Sequence, residues 1–278
     1  MIPVRKFKNL CVILNDNLTL AGRIKFTKIK NLTQELQYFK KQLLSGKNIA
    51  SKLIHHKATL LSPENKKRII GGYPIQINQQ PCMAYLLLFY SYAPDFRGGA
   101  AIIGEYWAVT AAHCFNFITD DDVKQKKAFV CSNTSHWRKG FNKHLIIRTY
   151  VHEKYNDKIT DYDIALVRVK NPFNGKFEKP VKWAASNYRY SYNAKVFVFG
   201  WGYTHPKRER ISDDLQAVEI RIVDDNTCKE RYVARRQRAA VTSRMICAMD
   251  QGKDACLFDS GGPLIRNKIL IGNQKLFQ

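Results

Sequence analysis

The sequence predicts an all-β domain standing behind a separate basic segment, and three observations carry that reading. Short apolar or alternating runs recur at 82–90, 107–111, 145–151, 163–169, 195–200, 216–223 and 263–271, each about the length of one strand. Turn-forming residues separate them, among them Pro94, Gly98-Gly99, Asn174-Gly175 and Gly202. The strand-like pattern begins at residue 69 and is absent before it. Many short strands at regular spacing, with no internal repeat and no low-complexity tract, point to a sandwich or barrel.

Residues 1–68 carry 15 basic and 3 acidic side chains, about half the excess of a 278-residue chain with 46 Lys+Arg, 23 Asp+Glu and a net charge of +23. Such a charge attracts polyanions, and "ERYVARRQR" (230–238) is the best candidate for such binding outside this segment. Zinc-finger spacing, RNA-binding aromatic motifs and Gly-rich phosphate loops are all missing, so nucleic acid is not the expected partner. Leu32, Leu36, Phe39 and Leu43 fall at helical spacing with Gly46 as terminator, which predicts one amphipathic helix. A single such helix forms no core of its own. The N-terminus is basic at Arg5, Lys6 and Lys8, but its apolar stretch, Leu10 to Leu14, ends at Asn15 and Asp16, short for a secretory signal. No apolar run reaches the 18 residues of a membrane span. Sequons at Asn17, Asn31 and Asn133 are compatible with secretion.

Four stretches in the later segment carry chemistry. His113, in "VTAAHCF", follows a β-rich run and small residues that allow a tight turn. Asp163 opens the apolar strand of "DYDIALVRV", which places its carboxylate at a strand edge, where an imidazole N–H is a suitable donor. Ser260 lies in "KDACLFDSGGPLI", where glycines permit close backbone approach. "KKRIIGGY" sets three basic residues before an apolar start. The remaining histidines read as ordinary surface or structural residues, and no metal or cofactor site is expected.

Taken together and in this order, "RIIGGYP", "VTAAHC", "DYDIALV" and "KDACLFDSGGPL" resemble the trypsin/chymotrypsin-like serine proteases over residues 69 to about 272. The resemblance implies two six-stranded β-barrels, the first spanning about 69–175 and the second about 176–278, with the site between them. It implies His113 as general base and then acid, Asp163 as the group orienting it, and Ser260 as nucleophile, since a serine hydroxyl attacks poorly until a base takes its proton. The N–H groups of Phe258 and Ser260 would form the oxyanion hole. Asp254 matches the position that selects Lys or Arg side chains. Cleavage after Arg68 would free the amino group of Ile69 to pair with Asp259, making residues 1–68 a propeptide and the chain a zymogen. The expected product is a secreted endopeptidase acting on protein or peptide substrates, with polyanion binding as a further capacity of the basic surface.

Three departures qualify that expectation. Phe258 stands where the family has glycine, and a non-Gly residue forced into a glycine-type conformation costs about 1–3 kcal/mol. After Lys268-Ile269-Leu270-Ile271-Gly272 only Asn273–Gln278 follow, so the resemblance implies an incomplete second barrel and an open specificity pocket. The seven cysteines also depart. Cys228 and Cys247 match a family disulfide, and Cys82 with Cys131 is an expected additional bridge between neighbouring strands. Cys114 faces Arg97 at its partner position, and Cys256 and Cys11 are left without assigned partners. The alternative reading is an impaired homologue that acts, if at all, by binding protein or polyanion partners.

Overall fold

The computed structural model describes residues 12–15, 72–90, 93–185, 187–202, 211–233, 241–250 and 259–275, all within one compact unit of the chain. The helix expected around Leu32 to Leu43 lies outside them, as do residues 234–238 of the basic patch. Among the described residues fourteen strands run in chain order: β1 Val12–Asn15, β2 Tyr73–Pro74, β3 Met83–Phe89, β4 Pro94–Gly104, β5 Trp107–Thr110, β6 Ala128–Ser132, β7 Asn142–Val151, β8 Ala165–Val169, β9 Lys182–Trp183, β10 Lys195–Gly200, β11 Gln216–Ile222, β12 Met245–Met249, β13 Pro263–Arg266 and β14 Ile269–Asn273. None of the described helices is long and apolar enough to cross a membrane.

Strands β3-β4-β5-β8-β7-β6 close into the first barrel. Its interior is built by period-two alternation: Ala84, Leu86 and Leu88 of β3 meet Ala128 and Val130 of β6 and Val167 and Val169 of β8 in one buried cluster. A second sheet runs β1-β12-β11-β10-β13-β14-β9, with β2 paired to the early part of β11. Val196, Val198, Val218, Ile220, Ile246 and Leu264 form its core by the same alternation. The expected double-barrel architecture is present. The pairing of β1 with the second sheet was not foreseen.

The opposite face of β3 joins the two halves. Tyr85 is fully buried, stacks on Phe96 with ring centroids 5.5 Å apart and meets Trp201 edge-on at 4.8 Å. Its hydroxyl donates to the Trp137 carbonyl at 2.9 Å, and the Trp201 indole N–H donates to the Ser135 carbonyl at 2.9 Å. Each ring removes roughly 150–250 Å² from water, about 4–6 kcal/mol at 25 cal/mol per Å². The seam that frames the cleft is thus apolar, with the Tyr85 hydroxyl and the Trp201 indole N–H both bonded.

Two expectations need correction. Gly98-Gly99, read as a turn, lies inside the long strand β4, because another backbone packs against it there. Cys82 and Cys131 are free and buried rather than bridged. Cys131 is in register with Tyr85, three residues along from Cys82, and an odd offset sends the two side chains to opposite faces. Cys228 and Cys247 are bonded, with Cα atoms 6.1 Å apart. Cys114 is free, and Arg97 pairs with Asp95 at 2.6 Å beside a register shift in β3–β4. Cys11 and Cys256 lie outside the described residues.

Candidate active site

His113 sits in a 3-10 turn, Ala112–Asn116, immediately after β5. Ala111 and Ala112 are buried and small, which lets the turn tuck against the barrel end. The His113 backbone N–H donates to Asp163 Oδ1 at 2.9 Å, and its Nδ1 lies 2.7 Å from Asp163 Oδ2. A carboxylate only accepts, so Nδ1 carries the proton and Nε2 is left with a free lone pair. The His113 side chain is 21% exposed and Asp163 only 3%: the imidazole is reachable and its orienting carboxylate is not. Just before Asp163 the backbone is left-handed at Thr160 (φ 48°) and Tyr162 (φ 55°), at roughly 1–2 kcal/mol each. An ion pair offsets this strain: Arg244 donates through Nε to Asp161 Oδ1 at 3.1 Å and through Nη2 to Oδ2, and its guanidinium lies 4.4 Å from the Tyr162 ring centroid.

Ser260 is half-buried in a turn entering β13. The turn rests on the first barrel: the Gly99 N–H donates to the Ser260 carbonyl at 2.8 Å, and Cys114 Sγ, next to His113, lies 3.7 Å from the same oxygen. A Cβ on Gly99 would approach the Gly262 nitrogen to 2.7 Å, which is why this strand needs glycine. Gly261 has φ 87°, and a side chain there would meet Thr110 Oγ1 and the Gly99 carbonyl. Asp259 is buried and accepts the Gly202 N–H at 2.7 Å.

Sequence reasoning missed the end of β14 and the two residues that follow it. Asn273 Nδ2 donates to the Asp163 carbonyl at 3.1 Å, Gln274 Nε2 to the Phe199 carbonyl at 2.8 Å, and the Gln274 backbone exchanges hydrogen bonds with Gly261 and Gly262 at 2.8 and 2.7 Å. Lys275 is buried and its ammonium donates to the Thr160 carbonyl. Burial pulls its pKa from 10.5 down to about 8, against the attraction of Asp163 and Asp161. These three residues strap the Ser260 turn to the Asp163 backbone. The available signal was a run of three polar residues directly after the apolar "ILIG".

His113 and Asp163 are therefore joined, and the Ser260 turn packs beside them. Arg68, Ile69, Asp254 and Phe258 lie outside the described residues. No group of three or more potential metal ligands occurs among the described residues.

A family model described as Trypsin matches residues 69–274. Trypsin epsilon of Drosophila erecta is 33% identical over 213 residues, covering 76% of this chain and 78% of that protein. The structure of neuropsin, a serine protease of mouse brain, superposes with a TM-score of 0.60 at 28% identity, covering 72% of this chain and 83% of that one. An inactivated protease paralogue of the scabies mite shares the fold with a TM-score of 0.66 at 21% identity, covering 75% of this chain and 86% of that one.

Proposed function

The chain belongs to the trypsin family of serine proteases, and on that premise we propose that it is a serine endopeptidase working through Ser260, His113 and Asp163. The observation that carries this reading is the doubly hydrogen-bonded His113–Asp163 pair, with the Ser260 turn packed against the residue next to His113. Ser260 Oγ gives its proton to His113 Nε2 as it attacks the scissile carbonyl, and Asp163 steadies the imidazolium that forms. The N–H groups of Ser260 and Phe258 receive the developing oxyanion; one such donor is worth about 100- to 1000-fold in kcat. His113 then protonates the leaving amine, and water, activated by the same nitrogen, hydrolyses the acyl-enzyme.

Asp254 gives the pocket its preference for Lys and Arg, and cleavage at Arg68–Ile69 switches the site on through Asp259. The Cys228–Cys247 bond fits an oxidising, extracellular setting. Two features slow turnover: the side chain at Phe258 beside an oxyanion donor, and the Lys275 ammonium near Asp163.

The test is labelling with a small fluorophosphonate and hydrolysis of paired Arg-amide and Leu-amide substrates, after cleavage at Arg68 has been verified. Label on Ser260, lost in Ser260→Ala, with the Arg substrate preferred, is the expected result. A cleaved chain that neither takes the label nor turns over either amide is not a peptidase.

A further inference from the structure

The first barrel defines what the second should look like. In order of sequence its six strands are β3 to β8, and the pairings are first with second, second with third, first with fourth, fourth with fifth, fifth with sixth, and third with sixth. Strands β10 to β14 repeat the first four of these: β10 with β11, β11 with β12, β10 with β13 and β13 with β14, all antiparallel. The sixth place, between the third strand β12 and the fifth strand β14, goes to β1. It runs antiparallel to β12, as β8 does to β5, with Val12 opposite Ala248, Ile13 opposite Cys247, Leu14 opposite Ile246 and Asn15 opposite Met245. It also lies alongside β14.

Composition suits the place. Val12, Ile13 and Leu14 close the apolar run Leu10–Leu14, and Asn15 ends the strand. Val and Ile are strong strand formers. Leu14 and Val12 are in register with Ile246 and Ala248, two residues of the second barrel's core, so a strand with three apolar residues in sequence pairs with an apolar edge. Edges of this kind accept an added strand through main-chain hydrogen bonds, and an unsatisfied edge invites association with other chains.

We propose that residues 12–15 are a built-in donor strand that supplies the sixth strand of the second barrel, so that the N-terminal segment stays docked on β12 after the chain is cut ahead of Ile69. The part concerning activation rests on the reading of Arg68–Ile69 as the processing site; the docking itself does not. Residues 1–68 are then more than a removable mask. They behave as the light partner of a two-piece protease held together by strand pairing.

The experiment separates the two claims by placing a site for a sequence-specific protease within residues 60–68 of the full chain, in a Cys11→Ser background that removes any disulfide tether. After cutting, the N-terminal piece should co-elute with the protease piece in native size exclusion and separate in urea. Hydrogen exchange should show the amides of Met245–Met249 equally protected before and after cutting. Leu14→Asp should release the piece on cutting and expose those amides. If Leu14→Asp fails to fold, the otherwise unmodified cut chain still decides. Separation of the two pieces under native conditions overturns the proposal, whatever the exchange at Met245–Met249. Failure of trypsin-like cleavage at Arg68 to raise activity would overturn the activation reading alone and leave the docking intact.

Discussion

Replacing Lys275 by methionine should stabilise the protein at neutral pH and lose that advantage in alkali. The ammonium is buried, 3% exposed, with the Thr160 carbonyl as acceptor. Burial moves its pKa from 10.5 to about 8 even though Asp163 and Asp161 pull the other way. That displacement corresponds to about 3 kcal/mol spent holding the proton in the folded state. Below pH 8 both folded and unfolded chains are protonated and the whole cost is present. Between about 8 and 10.5 the folded chain gives up its proton first, the unfolded chain binds more, and stability rises with pH. Methionine removes the charge but leaves the Thr160 carbonyl unpaired, a loss of about 1–3 kcal/mol that is the same at every pH. The informative quantity is therefore the difference between two pH values: Lys275→Met should be better by about 3 kcal/mol at pH 7 than at pH 10.5, relative to the parent. Urea unfolding at pH 7, 9 and 10.5 measures it. A flat difference, or a variant that is worse at pH 7 than at pH 10.5, would show that the ammonium is a net favourable partner of the two aspartates.

Three further outcomes are expected. Arg68→Gln should resist trypsin-like processing and remain inactive; an unprocessed chain as active as the cut one would refute the zymogen reading. Phe258→Gly should raise kcat on an Arg-amide substrate by no more than one oxyanion donor supplies, about 100- to 1000-fold, and a larger gain would mean that Phe258 blocks the cleft outright. Glu178 is buried in the first barrel; burial alone would raise its pKa, but hydrogen bonds from His144, the Gly175 N–H, Ser132 and Asn142 outweigh it and hold the carboxyl at about 2, below its ordinary 4.5. Its stabilisation is complete above pH 4.5 and is lost as pH falls toward 2, so Glu178→Gln should be clearly less stable at pH 7 and converge on the parent near pH 2, read by urea midpoints.

The parts of this molecule legible in the sequence are those set by local patterns. Strands β3, β5, β8, β10 and β11 fall on the expected apolar runs, with strict alternation of burial kept in β8, and the stretches around His113, Asp163 and Ser260 singled those residues out. What failed was set by distant neighbours. Strand β4 carries Gly98 and Gly99 because the Ser260 turn, more than 150 residues later in the chain, packs on them. The run 263–271 is a hairpin rather than one strand, folded at Asn267 and Lys268, both left-handed (φ 50° and 62°), and no glycine marked the turn. The Cys82–Cys131 bridge was inferred from strand adjacency alone, whereas side-chain parity decides it. Lys275 carries no mark of its burial because the aspartates and the carbonyl around it lie more than 100 residues away.

The donor strand β1 lies beside the strand that positions the Ser260 turn. The first barrel supplies His113 and Asp163, the second supplies Ser260, and alignment between them depends on contacts across the seam: Gly99 to the Ser260 carbonyl and Asn273 to the Asp163 carbonyl. Asn273 is the last residue of β14, and Gln274, which pairs with the backbone at Gly261 and Gly262, follows it directly. β14 is also the strand that β1 lies beside. Displacing β1 therefore removes a lateral support from the strand that carries the strap, and misplacement by about 1 Å at a reacting group is enough to cost about 100-fold in rate. A chain that keeps His113, Asp163 and Ser260 but has lost β1 should react with a fluorophosphonate more slowly than its stability alone would suggest. The labelling rate of Leu14→Asp, compared with that of a variant equally destabilised in the first barrel, reads this coupling directly; equal rates in the two variants would confine β1 to a purely structural part.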